Sequence, residues 1–228
     1  MAPPQLKLYV DTVSPFAYEA YYILRNDPVF ARCEITYVPI FLGGVMKACG
    51  NTPPIRIKNK DKWIDIERLR WARLFNIPMA TKTPDGFPPL TLSVMRALCA
   101  LTALRPEEEE QGQKSLVACL DALYRAYWVE GRQTHEREVL GAVLTEVLGA
   151  AEAEKDCIVL EAAGREGKEV LARNTDQALA DGAFGLPWFV ATNAKGEKET
   201  FWGVDHLAQV TEHLGLGKPG TGGWKAVL

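Results

Sequence analysis

A chain of 228 residues, 47% hydrophobic and 24% charged, carries enough apolar material for one large domain or two small ones with a substantial core. Its net charge of -3, with both signs interspersed, offers no long-range field to recruit nucleic acid or anionic lipid. The chain reads as soluble and globular; general nucleic-acid binding is disfavoured, and no apolar run is long enough to span a membrane.

From the N-terminus, Leu6, Leu8 and Val10 alternate with Lys7 and Tyr9, the period of two that marks a strand, and the pattern breaks between Asp11 and Ser14. Ser14 reads as a helix cap and Pro15 as the first helical residue, because Tyr18, Tyr21, Tyr22 and Leu24 then recur at helical spacing. That helix is expected to stop near Asn26-Asp27-Pro28, and Cys33 to Phe41 is rich in strand formers. The opening unit is therefore βαβ with parallel strands. From Gly43 to about Gly182 the chain turns to loops and helices, beginning with an irregular stretch at Gly50-Asn51-Thr52-Pro53-Pro54.

Apolar spacing predicts one helix through Ile64, Ile66, Leu69 and Leu74 and a second through Val94, Leu98, Leu101 and Leu104. Pro106 and the acidic run Glu107 to Glu110 read as the first turn of a third, continuing through Leu116, Leu120, Leu123 and Tyr127. Further helices are expected over Glu136 to Leu148, Glu152 to Ala163 and Lys168 to Ala180. Strand character returns at Pro187 to Thr192 and Glu199 to Trp202 around a turn at Asn193 to Gly196, so these two runs form a hairpin. A last helix over about Asp205 to Leu214 precedes a tail, Gly215 to Leu228, expected to lie extended on the surface.

The order βαβ, helical block, ββα lets both ends share one four-stranded sheet, the thioredoxin arrangement, with the block inserted. Residues 1–42 and 183–228 are expected to form the sheet domain and 43–182 the helical one. The five cysteines are odd in number and none are paired at the two-residue spacing of zinc or redox motifs. They read as reduced thiols in an intracellular protein, and no metal site is predicted. Met1 to Gln5 shows neither a signal peptide nor an amphipathic presequence.

Two segments carry chemistry. At Asp11-Thr12-Val13-Ser14-Pro15-Phe16 a hydroxyl stands where a strand ends and a helix begins, a place where free N–H groups and aligned peptide dipoles favour an anion such as a thiolate. A free thiol has a pKa of about 8.5, and each unit of depression corresponds to about 1.4 kcal/mol. An ordinary structural cap is the bland alternative. A serine nucleophile is disfavoured, because no nucleophile-elbow motif surrounds Ser14 and only His135, His206 and His213 could act as its base. The second segment is Ala183-Phe184-Gly185-Leu186-Pro187, just before a strand. Pro187 either starts that strand or, the reading favoured by the topology, follows a cis peptide bond that opens the Leu186 main chain to a peptide ligand.

These segments, together with Gly44, Met46-Lys47, Gly50-Asn51-Thr52-Pro53-Pro54 and Trp202-Gly203-Val204-Asp205 in that order, make the chain resemble a kappa-class glutathione transferase. The resemblance implies a homodimer that binds glutathione as co-substrate between its two domains, with Ser14 as the catalytic residue and Pro15 and Phe16 beside the thiol. It further implies that Asn51 and Lys60 meet the glycyl end, Leu186 and Pro187 the cysteinyl backbone, and Val204 with Asp205 the γ-glutamyl group. Val204 stands where relatives often carry a small hydroxyl residue, so only its main chain can serve there. Trp188 is bulky beside the proline, and Phe16, Tyr18, Trp63 and Trp202 could wall an apolar pocket.

The function expected is conjugation of glutathione to small apolar electrophiles, a detoxifying reaction. The alternatives are an isomerase of the hydroxychromene carboxylate type and a non-catalytic glutathione-binding or chaperone-like module. A thiol-disulfide oxidoreductase needs a reactive cysteine pair where this chain has Ser14 and Ala17. The cytosol is the default location; relatives occur in mitochondria and peroxisomes, and the ending Ala226-Val227-Leu228 lacks the basic residue of a peroxisomal address.

Overall fold

The computed structural model describes residues 2–106, 113–149, 160–161, 163–217 and 224. The alternating opening segment forms β1 (Gln5–Val10), which lies inside a four-stranded sheet ordered β2-β1-β3-β4, with β2 at Glu34–Pro39, β3 at Trp188–Thr192 and β4 at Lys198–Trp202. β1 pairs parallel to β2 and antiparallel to β3, and β3 pairs antiparallel to β4. Both ends of the chain thus share one sheet of the thioredoxin type.

The period of two sorts the sheet into two faces. Leu6, Leu8, Tyr37, Phe189 and Ala191 join a core cluster with helices α1 (Pro15–Asn26) and α8 (Leu207–Leu214). Tyr9, Trp188 and Val190 face the other way, against Val45 of α2 (Leu42–Ala48) and Ala178 of α7 (Glu166–Ala180). Between β2 and β3 the chain also forms α3 (Lys60–Leu74), α4 (Leu92–Leu104), α5 (Lys114–Trp128) and α6 (Arg137–Leu148). Leu98, Leu120 and Leu144 of this block belong to the same cluster as Leu6 and Leu8, so the core runs from sheet to helices without a break.

Several expectations change in detail. The segment after Gly43, read as loop, includes the short helix α2, and α5 begins at Lys114 rather than at Pro106; residues 107–112 lie outside those described. The start of α5 is set by Gln113, whose left-handed backbone stops any continuous helix there. Its side-chain amide accepts from the Tyr37 N–H at 2.7 Å and donates to the Tyr37 carbonyl at 3.0 Å, covering the outer edge of β2 as a further strand would. Most of the helix expected over Glu152 to Ala163 also lies outside the described residues. The tail expected on the surface has anchors: Leu216 and Trp224 are buried, and Trp224 donates to Asp27 at 2.6 Å.

Helices α4 and α7 meet backbone to backbone at Gly167, where a Cβ would lie 2.2 Å from the Arg96 carbonyl oxygen. Gly167→Ala must push backbone apart and is expected to lower stability by about 1–3 kcal/mol. Gly141→Ala in α6 would meet, among the described residues, only a Leu160 methyl at 3.6 Å, and helix propensity then favours alanine by up to about 1 kcal/mol. Urea denaturation midpoints should move in opposite directions for the two variants, and equal shifts would contradict this packing.

Candidate functional site

At the end of β1 the chain hands over to α1 through a buried carboxylate. Asp11 is fully buried and accepts from the Val13 N–H at 3.2 Å, the Leu42 N–H at 2.9 Å and the Thr91 hydroxyl at 2.7 Å. Burial pushes its pKa up to about 6, and the bonds from Leu42, Thr91 and Val13 hold it back from rising further. The Asp11 carbonyl also accepts the Ser14 N–H at 3.2 Å, which fixes the turn into the helix.

Ser14 caps α1 as expected: it is extended, 6% exposed, and its Oγ accepts the Ala17 N–H at 3.1 Å. A hydroxyl that accepts one bond keeps its own hydrogen to donate. Pro15 has no N–H and the Ala17 N–H is used by the cap, so among the described residues the Phe16 amide is the free donor of the first turn. The junction therefore offers an anion a hydroxyl, one amide and the helix field.

The register Tyr9↔Trp188 brings the second segment to the same edge of the sheet, because β3 starts where β1 ends. The Leu186-Pro187 peptide is cis. Among the described residues neither the amide nor the carbonyl of Leu186 pairs with another main-chain group. Leu186 shares an apolar cluster with Ala17 from the first turn of α1. The Asn51 side chain donates to the Phe184 carbonyl at 2.8 Å, and the Gly203 N–H donates to the Pro187 carbonyl at 3.1 Å. Val204 is buried, and the single turn it opens (Val204–His206) packs on α1. The Asp205 carboxylate is largely exposed and lies 3.4 Å from His206 Nδ1.

Eight of the nine residues singled out from the sequence thus lie at or are bonded to this strand-end cluster. Lys60 is the exception: it is the exposed first residue of α3, and its N–H bonds the Ile57 carbonyl.

Beside Pro15 opens a cleft of about 370 Å³ that local sequence signals did not indicate. Ile55, Ile64, Phe87 and Trp128 supply its apolar wall, and Asp65, Arg68 and Thr83 its polar one. The Arg68 guanidinium is held by Asp65 at 2.6 Å and by the carbonyls of Ala80 and Thr81, each at 2.8 Å. Of the aromatics expected to wall a pocket, Tyr18 is buried and stacked on Tyr124 at 5.0 Å, while Trp63 and Trp202 are exposed on separate elements. The walls come instead from segments far apart in sequence, from Pro15 to Trp128. Glu19, one turn beyond Pro15 on α1, carries no local sequence signal: neither of its oxygens has a partner among the described residues, and burial raises its pKa well above the ordinary value.

Among the described residues there is no group of three or more His, Cys, Asp or Glu side chains that could hold a metal ion, and no helix is long and apolar enough to cross a membrane.

A strand, a capped helix start and a cis-proline loop meeting at one sheet edge define the thioredoxin class, and residues 5–215 match the DsbA-like thioredoxin domain: the chain belongs to that family. Within it, the chain is 25% identical over 226 residues to glutathione S-transferase kappa 1 of Caenorhabditis elegans, covering 95% of this chain and 93% of that one. It is 26% identical over 213 residues to 2-hydroxychromene-2-carboxylate isomerase of Sphingobium xenophagum, covering 92% and 97%. A solved structure of a 2-hydroxychromene-2-carboxylate isomerase superposes with a TM-score of 0.72 at 24% identity, over 92% of this chain and 94% of that one.

The Asp11 carboxyl predicts a pH dependence. Its pKa in the fold exceeds the ordinary value of 3.8, so the native state binds the proton more tightly than the unfolded chain does. The stability it contributes is full below about pH 4 and is lost as pH rises through about 6, by roughly 3 kcal/mol in all. The stability difference between the parent and Asp11→Asn, measured by urea titration at pH 4 and pH 7, should shrink by about that amount; a constant difference would contradict it.

Proposed function

We propose that the chain binds glutathione at the strand-end cluster and activates its thiol with Ser14 for conjugation to small apolar electrophiles. The observation that carries this reading is the meeting, at one sheet edge, of a hydroxyl with a hydrogen to donate and a Leu186 main chain free to pair with a peptide. The cysteinyl backbone of the tripeptide would pair with Leu186 beside Pro187, setting its sulfur toward Ser14 and the Phe16 amide. Asn51 and Lys60 would hold the glycyl end. Asp205, exposed and acidic, would pair with the γ-glutamyl ammonium, with Val204 contributing main chain only. The cleft beside Pro15 is the place for the electrophile, next to the sulfur. The reading includes a homodimer in the cytosol, with residues 1–42 and 183–228 forming the glutathione domain and 43–182 the helical one.

A second reading keeps the site and changes the reaction. The similarity to an isomerase over 97% of its length supports a role in which glutathione adds to a substrate and leaves again. Consumption separates the two, because a transferase uses one glutathione per product and an isomerase uses none. Glutathione uptake with no turnover over a panel of electrophiles and hydroxychromene carboxylates would favour the non-catalytic module.

A hydrogen bond to a charged group contributes about 1.5–3 kcal/mol. Ser14→Ala should therefore fold as the parent does while its turnover at neutral pH falls about 10- to 100-fold, and the pH at half-maximal rate should rise by one to two units. The pH-rate profile with a chloronitrobenzene as electrophile checks this. A profile that coincides with the parent's would leave Ser14 as a helix cap only.

A further inference from the structure

The whole-chain charge conceals a local reversal. Between Arg56 and Arg73 the sequence holds seven basic and three acidic residues, in a chain whose net charge is -3. Two of those acids are already engaged, Asp65 with Arg68 at 2.6 Å and Glu67 with Arg70. Arg56, Lys58, Lys60, Lys62 and Arg73 are left on an exposed surface with Asp61 as the remaining opposite charge.

The same surface also carries several exposed apolar side chains. Trp63 is 55% exposed and Ile66 53%, with Ile57 and Leu74 above a third. Trp63, Ile66, Arg70 and Leu74 are spaced by three, four and four residues and so lie along one face of α3, while Arg68 and Ala72 are buried. The face is short, but an exposed tryptophan and isoleucine bordered by lysines are side chains suited to a bilayer interface, where the indole sits at headgroup level and the ammonium groups meet phosphate.

We propose that this face of α3 docks on an anionic lipid bilayer, with Trp63 and Ile66 entering the headgroup boundary and Lys58 and Lys62 against the lipid phosphates. Charge decides among the possible occupants. A second copy of the chain in two-fold contact would set a basic surface against itself. The core of a protein interface is depleted in lysine, whereas lysine stems reach along apolar surface and leave the ammonium at the headgroups. Asp61 and Lys62 also line the cleft beside Pro15, so the docked face lies at its rim. Delivery of bilayer-dissolved electrophiles into that cleft rests on the glutathione reading; the docking itself does not.

Sedimentation of the full chain with vesicles tests it. With phosphatidylserine at about a third of a phosphatidylcholine bilayer the chain should co-sediment at low salt, and it should be released by added salt and ignore pure phosphatidylcholine. Trp63→Ser and Lys58→Glu should each weaken partition at least about fivefold, while Leu104→Ser, at an exposed site on α4, should leave it unchanged. Absence of anionic-vesicle binding, or variants that partition as the parent does, would overturn the proposal. So would binding of an acidic amphipathic peptide without vesicle binding, or a Trp63→Ser variant that splits a dimer without vesicle binding. Glutathione uptake by the same variants should match the parent, so a failure of docking and a failure of the glutathione reading register separately.

Discussion

The buried Asp11 carboxylate is the constraint on which the site depends. A carboxylate without solvent is costly unless donors surround it, and here they come from three places: the turn after β1, the start of α2 and Thr91 immediately before α4. One side chain thus ties the sheet to two helices of the block that follows, and the same residue's carbonyl receives the Ser14 amide. The orientation of the α1 N-terminus is a consequence of that knot. Trp128 reinforces it from α5 by donating to the Thr12 carbonyl at 3.0 Å.

Antiparallel pairing of β1 with β3 supplies the other half of the geometry. Because β3 begins where β1 ends, the loop before Pro187 faces the first turn of α1, and neither segment has to be long or mobile to reach the other. A thioredoxin-like fold with a reactive cysteine pair uses this edge for disulfide exchange; here Ser14 and Ala17 stand at the pair's spacing. Under the proposed function this edge would receive a thiol from outside, with the Ser14 hydroxyl and the Phe16 amide already oriented by the fold before the sulfur ionises. Cys49, whose Sγ lies 3.4 Å from the Ala183 carbonyl, stands behind this loop.

What could be read from the sequence was what local chemistry fixes. The alternation of Leu6, Leu8 and Val10, the Ser14-Pro15 cap and the proline before β3 each involve neighbours within a few residues, and each is present where expected. Helix α2 was hidden because Gly43 and Gly44 weaken its propensity; its start is held instead by Asp11, 31 residues away. The start of α5 depends on Gln113 finding Tyr37 across 76 residues. The cleft is assembled from Pro15, Ile64, Phe87 and Trp128, so no window of sequence contains its shape. Lys60 matched a motif by position, and side-chain position is what a motif leaves open.

The proposed function requires that the thiol of a bound tripeptide ionise beside Ser14. Calorimetric titration with reduced glutathione at neutral pH, repeated in buffers of different ionisation enthalpy, counts protons released on binding. Saturable uptake is expected, with net proton release that disappears when S-methylglutathione replaces glutathione. Uptake without proton release, or no uptake at all, would contradict it.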